Sequence, residues 1–294
     1  MWRSWLLGAA QLLGSLVGAI LLVSLLPVVA HPPGGLWPFA TELIGRFLKI
    51  AAGDFGSNMA GAPAMTSAWA VFPVTLQLIG FGAALALLMG IPLGFLFSAQ
   101  RSFRAAAPLL QILTSIPVFL IALALIWVAN RSFHMITPPR APSLPFSTIL
   151  RHGDWSTAWS AYFLPALTIG FAGAAHLQMS LRRAAAAAWM APYRSGLRMM
   201  GLGLLEINLR FALPEIIAAL LRDTRGFILT LLSATAIAEW IFYRNGAAVL
   251  FLNATASHDW AMATATLLLF AAFTLIVGFL GDLAASFIVP EDAL

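Results

Sequence analysis

Six long apolar segments dominate the chain, and each is about as long as a helix that crosses a bilayer. They are residues 5–29, 72–98, 105–129, 162–187, 214–241 and 261–289. A spanning helix needs about 20 apolar residues. Only 9% of the residues are charged, whereas an ordinary soluble domain has about 25%. The sequence therefore predicts an all-α integral membrane protein with six spans and both termini on one side.

The first apolar segment has two interpretations. "PVVA" before His31 weakly resembles the cleavage site of a signal peptide, but the run is longer than the roughly 7–15 apolar residues of such a peptide. We therefore expect a retained helix within residues 1–30. We expect residues 31–71 to form a periplasmic segment with a short amphipathic helix at 39–50. Residues 72–294 then form a five-helix core, with a cytoplasmic loop at about 188–212.

Arginine sets the expected orientation. With the amino terminus inside, ten basic residues fall on the cytoplasmic side and six on the outer side, as the positive-inside rule favours. Both termini are then cytoplasmic, and we interpret the net charge of +5 as a topology signal rather than a nucleic-acid site.

If ATP drives this protein, a different subunit must hydrolyse it. Lys49 is the only lysine, and "FLKI" around it lacks the glycines of a phosphate-binding P-loop. The chain also lacks cysteine, and its histidines show no ligand spacing, so neither a metal nor a cofactor is expected in it. ATP and Mg²⁺ would be bound by partner subunits.

Residues 190–203, "MAPYRSGLRMMGLG", form a basic and glycine-rich interruption between apolar segments. Pro192 suits the start of a short helix, and Gly201 suits its end. Arg194 and Arg198 lie four residues apart on one face, and a second short helix would end near Arg210. Two short helices joined by glycines fit a docking site for a cytoplasmic partner. The alternative is an ordinary loop whose arginines contact anionic lipid.

The same segment resembles the cytoplasmic coupling loop of ATP-binding-cassette (ABC) importer permeases, specifically the first permease of the dipeptide, oligopeptide and nickel class. Tyr193 lies eight residues before Gly201, and Arg210 lies nine residues after it, as in that family. Further similar motifs occur in the family's order: "GDFG", "FPVTLQL", "GIPLG", "SIPVF", "LPALTIG", "AEWIF" and "HDW".

The resemblance implies a type I importer permease for di-/oligopeptides or cationic peptides in the bacterial inner membrane. It implies a second homologous permease as heterodimer partner, two ABC ATPase subunits and a periplasmic substrate-binding protein. The resemblance assigns ATPase coupling to Tyr193, Gly201 and Arg210. From their spacing on the short helix, we expect Arg194 and Arg198 to contact the ATPase as well.

Several departures bear on the substrate. The segment between helices one and two is short, closest to the subgroup associated with antimicrobial-peptide sensitivity. Ala248 replaces a loop glycine, Arg244 stands where an aromatic residue is common, and Ala187 replaces an acidic residue. A nickel chelate or a polyamine is the alternative solute. A secondary transporter or channel would show an inverted repeat or a buried coupling charge, and the sequence shows neither.

Polar and helix-breaking residues within the predicted spans are candidates for the translocation path. Glu239 would lie near the outer mouth, where it meets the receptor or a substrate amine, or else pairs with Arg244. Pro92 and Pro117 are hinges or packing kinks, and Gly90 with Gly94 indicates close helix packing.

The remaining path candidates each have a structural alternative. Gln77, His176 and Gln178 would line the path or form hydrogen bonds between helices. Arg222, Asp223 and Arg225 would form an inner gate or docking contact, or else an interfacial cluster of snorkelling side chains.

Overall fold

The computed structural model describes residues 2–30, 32–99, 116–133 and 162–289. In chain order the helices are α1 (Trp2–Ala30), α2 (Leu36–Ala51), α3 (Ala64–Ala99), α4 (Val118–Phe133), α5 (Leu164–Met190), α6 (Tyr193–Met199), α7 (Leu204–Ile207), α8 (Leu213–Arg222), α9 (Thr224–Ile241), α10 (Ala247–Ala256) and α11 (Trp260–Ile288). A π-helical turn, Asn208–Ala212, joins α7 to α8. Among the described residues, β pairing is limited to one bridge between Ser57 and Pro63, and the all-α prediction is confirmed.

Three of the described helices are long and apolar enough to cross a membrane. They are Gly8–Ala30, Ala64–Leu96 and Trp260–Ile288. α4 is shorter, and the first part of the third predicted segment, 105–129, lies outside the described residues. The six-span topology therefore stays a prediction.

α3 begins at Ala64, eight residues before the predicted start at 72. The reason is the turn before it. Gly56 accepts the N–H of Ala64 at 3.0 Å, and Pro63 accepts that of Ser67 at 3.2 Å, so the helix is initiated well ahead of the most apolar stretch. Pro73 and Pro92 both lie inside this helix. The extramembrane location of residues 31–71 stays a prediction.

Pro117 was predicted inside a span, but the described helix α4 starts one residue later, at Val118. The carbonyl of Pro117 accepts the N–H of Leu120 at 2.9 Å. Proline has no backbone N–H group. At the start of a helix this costs nothing, because the N–H groups of the first turn have no partner within the helix. Pro117 therefore stands at a helix start, and residues 100–115 lie outside the described part of the chain.

The predicted fifth segment, 214–241, is two helices. α8 ends at Arg222 and α9 begins at Thr224, with Asp223 between them at φ −85° and ψ 6°. The N–H of Asp223 bonds to the carbonyls of both Ala219 and Leu220 at 3.2 Å. Because of this tight turn, the carboxylate of Asp223 points away from the axis of α8 and α9.

α10 is a short helix that the sequence patterns did not predict. It follows the turn at 242–246, where Tyr243 has φ 51°, and it packs against α3 and α11. We refer to this end of the molecule, which also holds α2 and the start of α11, as the α10 end. The opposite end, with α6 and α7, is the α6 end.

α3 and α5 form the most extensive helix pair, and glycines on both helices make it close. A Cβ on Gly90 would lie 3.0 Å from the carbonyl oxygen of Ala174, and one on Gly94 would overlap Leu181. On α5, a Cβ on Gly173 would lie 2.7 Å from the Cβ of Ala86. Close packing, the role predicted for Gly90 and Gly94, is confirmed.

Replacing Gly173 by alanine should lower the stability of the protein. The new methyl group would meet Ala86 of α3 and also Leu231 of α9, 2.8 Å away, and overpacking of this kind costs roughly 1–3 kcal/mol. Thermal unfolding of the purified protein measures the effect.

Gly80→Ala is the matched control, because a Cβ at that position of α3 meets nothing within 4 Å. It should unfold at or slightly above the wild-type temperature, since alanine favours helix. Equal unfolding temperatures for Gly173→Ala and Gly80→Ala would contradict the close α3–α5 packing.

Candidate functional site

A fully buried carboxylate joins three helices at the α10 end. Oε1 of Glu239, on α9, accepts a hydrogen bond from the Thr75 hydroxyl of α3 at 2.5 Å. Oε2 accepts the N–H groups of Ala248 at 3.0 Å and Val249 at 3.1 Å. These two amides belong to the first turn of α10, whose N–H groups have no partner within the helix. Glu239 therefore caps α10 from another helix.

Thr75 and Gly246 complete this arrangement. The Thr75 hydroxyl oxygen accepts the N–H of Ala247 at 2.7 Å, so one side chain serves both Glu239 and α10. A Cβ on Gly246 would overlap the Glu239 carboxylate. The backbone angle does not demand glycine, because a φ of −99° suits any residue. Glycine is required because a side chain would have no space beside the carboxylate.

Arg244 and Tyr162 form a second set of contacts that also reaches α3. The guanidinium of Arg244 is buried and lies 4.6 Å from the centre of the Tyr162 ring, a cation–π distance. The Tyr162 hydroxyl donates to Oε1 of Gln77 on α3 at 3.2 Å. We call these five residues, Thr75, Gln77, Tyr162, Glu239 and Arg244, the Glu239 network.

The position of Glu239 differs from a residue exposed at an outer mouth. It does lie near the end of α9, but it is 0% exposed and bound to Thr75 and to the start of α10. Within the described residues its side chain accepts hydrogen bonds from a hydroxyl and two backbone amides, and its role at an outer mouth stays a prediction.

A second group of polar contacts, the Asp223 network, lies midway along α5. Oδ2 of Asp223 contacts Nε2 of His176 at 3.0 Å and accepts a hydrogen bond from the Ser180 hydroxyl. Nδ1 of the same imidazole lies 3.1 Å from the Thr230 hydroxyl of α9. Asp223, His176, Ser180 and Thr230 thus hold the α8–α9 break against α5.

The predicted Arg222, Asp223 and Arg225 cluster is divided among three partners. Asp223 turns toward α5, as above. Arg225 forms a 3.0 Å ion pair with Asp282 of α11, and Gly278 leaves room for its side chain. Arg222 is exposed and donates to the carbonyl of Val289 at 3.4 Å. The helix break at Asp223 separates their directions, so within the described residues the three side chains do not form one cluster.

Gln178 lies on α5 and is buried. It does not join the Asp223 network, although it is only two residues from His176. Gln77 and His176, two of the three predicted lining residues, both make hydrogen bonds between helices, which was the alternative stated for them.

The 190–203 segment projects from the α6 end as predicted. α6 is ended by Gly201 at φ +86°, a left-handed conformation that favours glycine. The Tyr193 hydroxyl donates to Oε2 of Glu215 on α8 at 2.6 Å. Partial burial and the nearby Glu215 raise the pKa of Tyr193 to about 12, so the phenol remains the donor at neutral pH.

The other coupling candidates differ in what they contact. Arg194 donates to Asn208 at 2.9 Å, and Arg210 pairs with Glu206 at 3.4 Å. Arg198 is exposed and forms no hydrogen bond or ion pair with the described residues. Beside it, Met199 and Met200 are 84% and 77% exposed. Met190, in the same segment, is 80% exposed. The segment therefore presents Arg198 and three flexible apolar side chains outward.

Thr75, Glu215 and Asp282 are partners that the sequence analysis missed. Each is a single polar residue in an apolar segment, and Thr75 lies 164 positions before Glu239. No local spacing relates such residues. In both networks the carboxylate contacts hydroxyl, imidazole or amide groups of neighbouring helices. These contacts hold the helices in position.

The comparison with known families gives one match. The model described as "Binding-protein-dependent transport system inner membrane component" matches residues 82–291, which is more than two thirds of the chain. A search of curated proteins finds no match.

Replacing Thr75 by valine should weaken the attachment of α10. The isosteric change removes the donor to Glu239 and the acceptor for Ala247, and each buried polar group left without a partner costs about 1–3 kcal/mol. Thermal unfolding and protease cleavage within residues 242–247 measure the effect.

Thr75→Ser keeps the hydroxyl and is the matched control. It should resist protease nearly as the wild type does. If the valine variant were as stable and as resistant as the serine variant, Thr75 would not support the Glu239 network.

Proposed function

The chain belongs to the family of binding-protein-dependent transport system inner-membrane components, and from this premise we propose that it is a peptide-importing permease coupled to separate ATPase subunits. The family establishes an ABC transporter permease, a membrane subunit that carries substrate rather than an enzyme. Such permeases work with ATPase and substrate-binding partners.

The observation that carries the coupling proposal is the 190–203 segment. It presents Arg198 and three exposed methionines outward, and flexible apolar side chains suit a groove in a partner. It is also tied to the helix bundle, because Tyr193 of α6 bonds to Glu215 of α8. A push on α6 is therefore transmitted to α8 and to the Asp223 break beyond it.

The proposed topology places the α6 end in the cytoplasm. This follows the arginine distribution, because Arg182, Arg183, Arg194, Arg198 and Arg210 all belong to that end. α1, α3 and α11 would then be spans one, two and six, and α8 with α9 would together form span five. Both termini would be cytoplasmic, in a bacterial inner membrane.

Three partially exposed polar groups support a translocation path within the bundle. His176, Arg225 and Asp282 have side chains that are 20%, 40% and 43% exposed in the single chain. Charged and polar groups at membrane depth face a bundle interior or an aqueous cavity. In the proposed complex, a second homologous permease would enclose this face.

Peptides are the proposed solute because the ordered motifs from "GDFG" to "HDW" resemble those of peptide importers. Import would require a periplasmic substrate-binding protein and two ABC ATPase subunits, with ATP and Mg²⁺ bound there. Uptake assays with peptides, a nickel chelate and a polyamine separate the alternatives. Uptake of the chelate or polyamine without uptake of peptides would contradict the substrate proposed here.

Coupling is tested with Arg198→Gln in the complex reconstituted with its ATPase subunits. The loss of one charge-assisted contact costs about 1.5–3 kcal/mol, or roughly tenfold or more in docking affinity. We expect normal membrane insertion, a matching loss of peptide transport, and ATPase activity that no longer responds to substrate. Arg131→Gln changes an exposed arginine on α4 and serves as control.

Gly201→Ala is a second test with its own control. Alanine at φ +86° is strained by roughly 1–2 kcal/mol, whereas Gly203 has φ −70° and open space around it. Gly201→Ala should uncouple transport from ATP hydrolysis and Gly203→Ala should not. Normal pumping by both Arg198→Gln and Gly201→Ala complexes would refute docking through this segment.

A further inference from the structure

A charged cleft of about 450 Å³ lies at the α10 end between α2 and the first turns of α11. One wall is a face of α2 that carries Glu42, Arg46 and Lys49, residues spaced to share a helix face. The opposite wall is Trp260 and Thr264 of α11. All of these residues except the α11 pair lie before residue 82, outside the part of the chain matched to the transport family.

The cleft is built by fixed backbone contacts. The N–H of Asp54 bonds to the carbonyl of Lys49 at 2.9 Å, which holds the loop after α2 beside the helix end. The N–H of Met59 bonds to Oδ2 of Asp259 at 2.9 Å, and Oδ1 of Asp259 caps α11 through Met262. The loop is therefore attached to both walls, which fixes the backbone that carries the charged groups.

Two cations and two carboxylates line the cleft: Arg46, Lys49, Glu42 and Asp54. Arg46 uses Nε and Nη2 to bind a single oxygen, Oε1 of Glu42. Asp54 uses Oδ1 to accept the N–H of Gly56 at 3.0 Å. Within the described residues, the Lys49 ammonium, Oε2 of Glu42 and Oδ2 of Asp54 make no hydrogen bond. The cleft thus offers donors and acceptors together at a formal charge of zero.

An exposed apolar face of α2 lies beside the cleft. Trp37, Ile44 and Leu48 lie on another face of α2 and are 79%, 58% and 60% exposed. An amphipathic helix with an outward apolar face is typical of a segment that lies in the membrane interface, where tryptophans such as Trp260 also concentrate. A ligand in the cleft would have acyl chains of the bilayer beside its polar group.

From this arrangement we infer that the cleft binds the headgroup of a zwitterionic phospholipid with a primary amine, of which phosphatidylethanolamine is the type. Lys49 and Arg46 match the phosphate, and Asp54 and Glu42 accept hydrogen bonds from the ammonium. An anionic lipid such as phosphatidylglycerol leaves the carboxylates unmatched. The quaternary amine of phosphatidylcholine has no N–H to donate. The inference rests on the proposed topology only in placing the α10 end at the outer membrane surface.

Native mass spectrometry of the full-length chain in complex with its partner subunits tests the assignment. The delipidated complex is mixed with equal amounts of phosphatidylethanolamine, phosphatidylglycerol and phosphatidylcholine of identical acyl chains. We expect preferential retention of one phosphatidylethanolamine. Arg46→Gln and Lys49→Gln should each weaken this retention about fivefold.

Asp54→Asn is the sharpest variant, because the amide keeps the oxygen that accepts the Gly56 N–H, whereas an uncharged NH2 group, which cannot accept a hydrogen bond, replaces Oδ2. It should lower the ratio of phosphatidylethanolamine to phosphatidylglycerol retained. Arg131→Gln, far along the chain on α4, should leave that ratio unchanged. Lys49 and Asp54 are exposed, and an unchanged unfolding temperature will show that their variants are folded.

Equal retention of the three lipids, or variants that bind as the wild type does, would overturn the assignment. Displacement of the lipid by soluble glycerophosphoethanolamine at equal concentration would assign the cleft to a free phosphate ester instead. A cleft variant that loses the lipid but transports normally supports the lipid site and leaves the proposed function intact. A wild-type complex that retains the lipid but fails to transport contradicts the proposed function alone.

Discussion

The close approach of α3 and α5 is the constraint on which the other contacts depend. In lipid, apolar surface gains little from packing against apolar surface, so small residues that allow backbones to approach become decisive. Gly90 on α3 and Gly173 on α5 supply that approach, each leaving space that a single methyl group would fill. The same two helices carry Thr75 and His176, so their spacing also sets the geometry of both polar networks.

The two networks attach α9 at opposite ends to different neighbours. At one end Glu239 binds Thr75 of α3 and the first amides of α10. At the other, Asp223 binds α5 and Arg225 binds Asp282 of α11. The break at Asp223 separates α9 from α8, which in turn contacts α6 through Glu215. α6 is therefore connected, through α8, to the break at Asp223.

Hydropathy and breaker residues predicted much of this fold. α1, α2 and α11 lie close to their predicted bounds, and Gly201 ends α6 as expected. The sequence did not reveal the break at Asp223, because neither glycine nor proline marks it and the break depends on partners in α5. It also could not reveal that Glu239 caps α10, since Thr75 and the α10 amides are brought together only by tertiary packing.

Site-specific crosslinking tests the central claim that the 190–203 segment docks on a separate ATPase. The chain has no cysteine, so Met199→Cys introduces a single reactive thiol at an exposed position. In the assembled complex, a short thiol-to-amine crosslinker should join it to the ATPase subunit, whereas Tyr243→Cys at the α10 end should not reach that subunit. Crosslinking of the ATPase to position 243 and not to position 199 would contradict the account.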